Sequence, residues 1–472
     1  MNNKLIQKHV ETARETRSPT FAQELVAAGG PTPTAYSAAP KRSTRQPWHG
    51  VMENAASGFR TIEKETIHLT GEETARAPLV VSREQGRIVR VSGNRIVRGD
   101  NRIGHDCMLT GQEAGLEIQG VLTTIGGARV ITNNLESSAG DSLLITARMR
   151  INDRPPLRKT VTLAGTGGIR ITGVIENNLG SGSLTCSGRV SLDNEANLYT
   201  GVTTVVLGST LTVTRLTEGG RPSSIGAAST VPSNLIVSGT LEYRSTVPSE
   251  TDRLFTANST IGTALANTSE SPSARLAFIG EGEIGLGSSN MPRTLSLAGS
   301  NRGDNLFRPT LADNGYAASA LHKKGVGKWT VTGRNRHTGG TTIFAGEFVA
   351  GSAECLGKGP VIVCDDGVLT VGAPGVPGVF AGAGMLLING TVRMHSMHAS
   401  LTLADGSLYI FNGTLDLNGV FDKAPVGEYS VIVGGVGAGR YVDNLRGVAG
   451  YHRPKHRASF RQGKVIIAAL ND

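Results

Sequence analysis

Aromatic rings are scarce in this chain of 472 residues, at 4% for Phe, Trp and Tyr together. A core built on large rings is therefore not expected, and small aliphatic side chains must fill the interior. Charged residues are also few, at 18%. Hydrophobic residues reach 38%, in many short Val, Ile and Leu runs, which argues against global disorder. No run approaches the ~18 apolar residues that a membrane-spanning helix needs. Four cysteines (Cys107, Cys186, Cys355 and Cys364) are too few and too scattered for a disulfide framework, although Cys355 and Cys364 could meet across a turn. The opening MNNKLIQKHVETARETR has no apolar h-region and no small-residue cleavage site. No Sec signal peptide is expected there, and Met1 is expected to belong to the intact product.

What is abundant is glycine, 63 residues, with no Gly-X-Y register that would make a collagen. The charge balance, 47 Lys and Arg against 38 Asp and Glu, gives +9. That is a mild bias toward nucleic acid, anionic polysaccharide or a negatively charged surface. The basic residues gather at Lys41, Arg42 and Arg45, at Arg87, Arg90, Arg95 and Arg98, and at Arg453, Lys455, His456, Arg457 and Arg461. No nucleic-acid-binding motif accompanies them, and solvated turns explain them more simply.

Residues 1–57 read as an arm. The first sixteen could form a polar helix with Leu5, Ile6, Val10 and Ala13 as its apolar contacts, followed by Pro19, Pro31, Pro33, Pro40 and Pro47. Such a segment gains structure against a partner. From about residue 58, short β runs are punctuated by Gly, Asn-Gly and Asp-Gly, and no stretch carries helical periodicity. A repeat is visible: Gly346, Gly367, Gly390 and Gly413 each open a short alternating strand, 21 and then 23 residues apart. Strands recurring at that distance without helices between them fit the coils of a β-solenoid, each stacked ~4.8 Å above the last. The fold expected is an all-β, right-handed, single-stranded parallel β-helix over 58–420, of roughly 15 coils and on the order of 70 Å, with a C-terminal capping β segment over 421–472.

Lys324-Gly-Val-Gly-Lys-Trp-Thr-Val-Thr-Gly333, followed by His337-Thr-Gly-Gly-Thr-Thr-Ile343 and Gly346, resembles the autotransporter-associated β-strand repeat, also called the passenger-associated transport repeat. The matching positions are Gly327, Trp329, Gly333, Gly339, Gly340, Thr341 and Thr342. His337 stands where that family usually has Tyr. A looser copy runs through Gly182-Ser-Leu-Thr-Cys-Ser-Gly188 and Asn197-Leu-Tyr-Thr-Gly-Val-Thr-Thr204. The resemblance implies a parallel β-helical surface or secreted protein, commonly a passenger or adhesin. Neither a translocator barrel nor a sorting tail is expected within this sequence.

Other motifs read first as structure. Gly280-Glu-Gly-Glu-Ile-Gly285 matches G-x-G-x-x-G, yet a dinucleotide site would need a helix start immediately after it. Asp365 with Asp366, and Glu281 with Glu283, are the best carboxylate pairs for general acid–base work. His395 and His398, and the run His105-Asp106-Cys107, lack partners at ligand spacing. Arg98-Gly-Asp100 and Arg302-Gly-Asp304 spell an integrin tripeptide within turns. Thr203-Thr204 and Thr341-Thr342 read as hydroxyl stacking. The expectation is a non-enzymatic, structural or adhesive surface rod with no cofactor and no metal. It would bind a protein assembly, a cell surface or a polysaccharide through the arm and a lateral face, with a homo-oligomer open. Two alternatives remain: a virion component such as a tail fibre, spike or decoration protein docked by its arm, and a polysaccharide-active β-helix enzyme.

Overall fold

The computed structural model describes residues 60–63, 66–70, 78–138, 140–151, 158–376, 378–382, 384–434, 441–443 and 445–470. The expected arm and its helix lie outside them. The chain winds as a parallel β-solenoid of about 15 turns. One early coil passes through Ile88–Val91, Asn94–Val97 and Asn101–Ile103, and the next through Cys107–Gly111, Gly115–Ile118 and Leu122–Thr124. Each strand pairs in parallel with its counterpart, Ile88 with Met108, Arg95 with Leu116 and Arg102 with Thr123. Among the described residues the sole helical element is one 3-10 turn, Pro232–Asn234.

Alternation decides which side chains enter. In Lys159–Ala164, buried and half-buried residues alternate along the strand, so Val161 and Leu163 point in. Because each inward position repeats in the next layer, the core is a set of columns. Leu116, Leu143, Ile169, Val190, Leu211, Leu241, Leu265 and Leu297 stack one over another. The few rings concentrate in the middle coils, where Phe255 meets Phe278 and Phe307 edge-on at 5.8 and 6.4 Å.

The coil length is not constant. Partner residues are separated by as few as 19 positions (Trp329 and Phe348) and as many as 33 (Leu415 and Val448). The extra residues leave as loops without disturbing the ladder. Two long strands, Thr341–Ala350 and Val361–Val371, turn a corner while staying paired, with one irregularity between Ile343 and Ala345. Inside that corner lies Lys323, a fully buried lysine in the aliphatic column. Its ammonium donates to the carbonyls of Lys324, Gly325 and Ala345. Burial pulls its pKa down to about 8, partly offset by Glu347.

Parallel pairing continues past residue 420 through Tyr441–Asp443 and Gly447–Ala449. A separate antiparallel sheet joins Gly427–Ser430, Lys464–Ala469 and His456–Arg461, and Val465 and Ile467 are buried. It sets Phe460 against Phe411 of the core at 5.4 Å.

Candidate functional site

The family-like motif maps onto contacts between successive coils. Trp329 is fully buried, and its indole N–H donates to the Ala298 carbonyl at 2.9 Å. Beyond Gly333, the amide of Asn335 accepts the Leu311 N–H at 2.8 Å and donates to the Cys355 carbonyl at 2.6 Å. One side chain thus bridges the coil before and the coil after, replacing a peptide group in the ladder. His337 Nε2 meets Thr341 Oγ1 at 3.0 Å, and that hydroxyl donates onward to the Leu356 carbonyl. Thr342 faces outward and is half-buried. Gly339 sits so close to the Ser319 carbonyl that a Cβ would lie 2.4 Å from it, and Gly340 has φ +92°.

The looser copy repeats these contacts. Asn197 accepts from Ile175 N–H and donates to the Ser224 carbonyl, and Tyr199 Oη meets Thr203 Oγ1 at 2.7 Å. In each copy a left-handed glycine from a later stretch lies against the ring, Gly226 on Tyr199 and Gly357 on His337. The imidazole therefore occupies the place of a phenol.

That exchange has a pH consequence. Burial pushes His337 down from the ordinary 6.5 to about 4, while Asp313 and backbone hydrogen bonds oppose the shift. Between those values the unfolded chain binds more protons than the folded one. The stability contribution is whole above 6.5 and is lost as the pH falls toward 4 and below. Thermal melting followed from neutral pH to about 4 is expected to show this loss, and His337→Tyr is expected to flatten it.

The corner glycines stand in adjacent layers. Gly346 and Gly367 are direct Cα partners. A Cβ on Gly390 would lie 2.4 Å from the Gly367 carbonyl oxygen, and one on Gly413 would lie 1.9 Å from that of Gly390.

Other sequence candidates are placed apart. Glu281 and Glu283 turn to different arginines, Arg308 and Arg336. Asp365 pairs with Arg446 at 2.7 Å. Gly285 is followed by strandless loop rather than a helix. His395 and His398 are exposed, and no group of three metal-ligating side chains occurs among the described residues. Asp106 accepts the Val130 N–H, while burial pushes the Cys107 thiol up to about 12. Asp304 of the second Arg-Gly-Asp is held by Lys328 at 2.6 Å, and Arg98 of the first donates to Gln119. The Thr203 and Thr341 hydroxyls serve neighbouring carbonyls. Cys355 and Cys364 do not meet, and both are free thiols. Cys355 is buried, whereas Cys364 is half-exposed at an outward position of its strand, so the solenoid wall separates them. The arginines at 87–98 are spread over different faces, because one coil visits every face within some twenty residues.

The outer surface is organised in columns. Charges pair between coils: Arg148 and Arg150 with Glu176, Arg170 with Asp193, and Arg393 with Asp416 and Glu347. These pairs are half-exposed, so each is a modest tie between layers. A groove of about 750 Å³ opens on this surface, lined by Glu283, Arg334, Arg336, Glu354, Lys358 and Phe380 among others. A second, of about 570 Å³, lies beside the corner between Arg302, Lys328, Glu347, Asp366 and Arg393. Neither groove was legible locally, since its walls come from several coils.

Over 284 residues the chain is 32% identical to the Adhesin BmaC autotransporter of Brucella suis biovar 1 (strain 1330), covering 55% of this chain. It spans only 8% of the length of that relative. No family model matches, and no solved structure matches. Together with the solenoid, the similarity agrees with a β-helix of the autotransporter passenger type.

Proposed function

We propose that this chain is a surface-displayed, adhesive rod. The observation that carries the reading is the similarity to an autotransporter adhesin along a chain that winds as a parallel β-solenoid. The interior is committed to the stack: indole, amide and hydroxyl groups of the repeat donate to carbonyls of neighbouring coils. Binding is left to the lateral columns and loops, which tolerate change while the ladder stays fixed. Continuous axial hydrogen bonding would make the body a stiff spacer, and the antiparallel sheet of residues 427–469 is read as a cap that would block edge-to-edge growth. The glutamates of the larger groove are tied to arginines, an arrangement suited to recognition rather than to proton transfer.

The test is attachment. Beads coated with the purified chain are expected to bind cultured epithelial cells saturably, and soluble chain is expected to compete. Beads that bind no more than albumin-coated ones would overturn the proposal.

A further inference from the structure

We infer that the larger lateral groove is a binding site for an acidic oligosaccharide, a sugar chain bearing a carboxylate. This names the ligand class for the adhesive reading above and rests on it. The groove's about 750 Å³ has room for a short oligosaccharide. Its wall includes Phe380, a half-buried ring in a well-anchored strand, Gly378–Phe380, whose N–H reaches the Ala353 carbonyl at 2.7 Å. A partly exposed ring held on a rigid strand offers an apolar face on which the C–H face of a pyranose packs.

Around it stand two crossed ion pairs, Arg334 with Glu354 at 2.8 Å and Arg336 with Glu283. Planar guanidinium and carboxylate groups paired at the surface present donors and acceptors together, as a row of sugar hydroxyls requires. Each pair is neutral in sum. Lys358 is exposed, lines the same groove and has no ion-pair partner among the described residues. It leaves the groove one surplus positive charge, in a chain that is basic overall at +9. The group that completes it is a carboxylate, so the ligand is a sialylated or uronate-bearing chain rather than a neutral one. The groove is assembled from successive coils, from Gly282 to Phe380. A ligand lying along the rod axis would therefore touch several layers at once.

The experiment uses the full chain passed over surfaces bearing 3′-sialyllactose, a hyaluronan hexasaccharide or lactose. At least one carboxylated probe is expected to be held about tenfold or more tighter than lactose, and Lys358→Gln is expected to erase that advantage. Phe380→Leu, with melting unchanged, is expected to weaken every probe that binds. Retention of only one acidic probe supports the inference and identifies the source of the carboxylate. Equal retention of all three, retention of none, or indifference to Lys358→Gln overturns it. Cell attachment read in parallel separates the two claims. Attachment that persists without saccharide binding leaves the adhesive reading standing and the groove assignment wrong.

Discussion

Gly390→Val is expected to cost about 3 kcal/mol and to open the solenoid at that corner, because the new side chain has no direction free of backbone. Its Cβ alone would lie 2.1 Å from the Cys364 carbonyl oxygen and 2.4 Å from that of Gly367. Neither carbonyl is the end of a flexible side chain, so two layers must separate for the methyl groups to fit. The matching control is Gly447, the Cα partner of Thr414, where a Cβ would meet nothing within 4 Å. Gly447→Ala is expected to change stability by less than about 0.5 kcal/mol. Thermal melting combined with limited proteolysis separates the two: the first variant melts lower and is cleaved near the corner, while the second behaves as the parent. Equal behaviour would show that axial proximity is not what demands glycine there.

Asn305→Ala is expected to be as damaging for the opposite reason, since it removes contacts rather than adding atoms. Asn305 is fully buried, and its Oδ1 accepts the Leu276 N–H at 2.8 Å and an amide N–H of Asn267 at 2.6 Å. Its Nδ2 donates to Lys328 O at 2.9 Å and to the backbone and side-chain oxygens of Asn301. Truncation strands groups in three successive coils. At ~1–3 kcal/mol for each buried polar group left unpaired, the expected loss is about 4 kcal/mol. Asn305→Asp keeps the acceptor but turns a carboxylate oxygen toward the oxygens of Lys328 and Asn301, so it is expected to be at least as damaging as alanine. Hydrogen exchange at the Leu276 amide reads the effect locally: protection there drops in the alanine variant while the distant column through Leu143 and Ile169 keeps its own.

Residues that act between layers are poorly visible along the sequence. The strands were legible because inward and outward side chains alternate, as in Lys159–Ala164. The period was legible only where loops stay short, between Gly346 and Gly413; elsewhere insertions stretch or shrink the interval. Bridging asparagines such as Asn101, Asn197, Asn305 and Asn335 resemble ordinary turn formers, and nothing local reveals that each is buried between two coils. Lys323 and Arg253 belong to residue types usually found at the surface, yet both spend their protons on carbonyls inside the wall. Arg253 reaches those of Thr217, Glu218, Arg221 and Gly226 and so closes the loop they belong to. The lateral groove was invisible for the same geometric reason that scattered the basic clusters. Neighbours in sequence lie around a coil, whereas neighbours on a face lie one circuit apart.

The most direct measurement is a cysteine cross-link between layers. Thr391 and Thr414 are Cα partners on adjacent coils, 23 residues apart, whereas Glu347 and Thr391 are two layers apart through Val368. Parallel neighbours ~4.8 Å apart fall within disulfide reach, and residues two layers apart do not. Oxidation of the Thr391→Cys, Thr414→Cys double variant is expected to join the pair within one molecule, leaving the Glu347→Cys, Thr391→Cys variant unjoined. Failure of the first pair to link, or linkage of the second in its place, would contradict the stacked solenoid on which the proposed adhesive function and groove assignment depend.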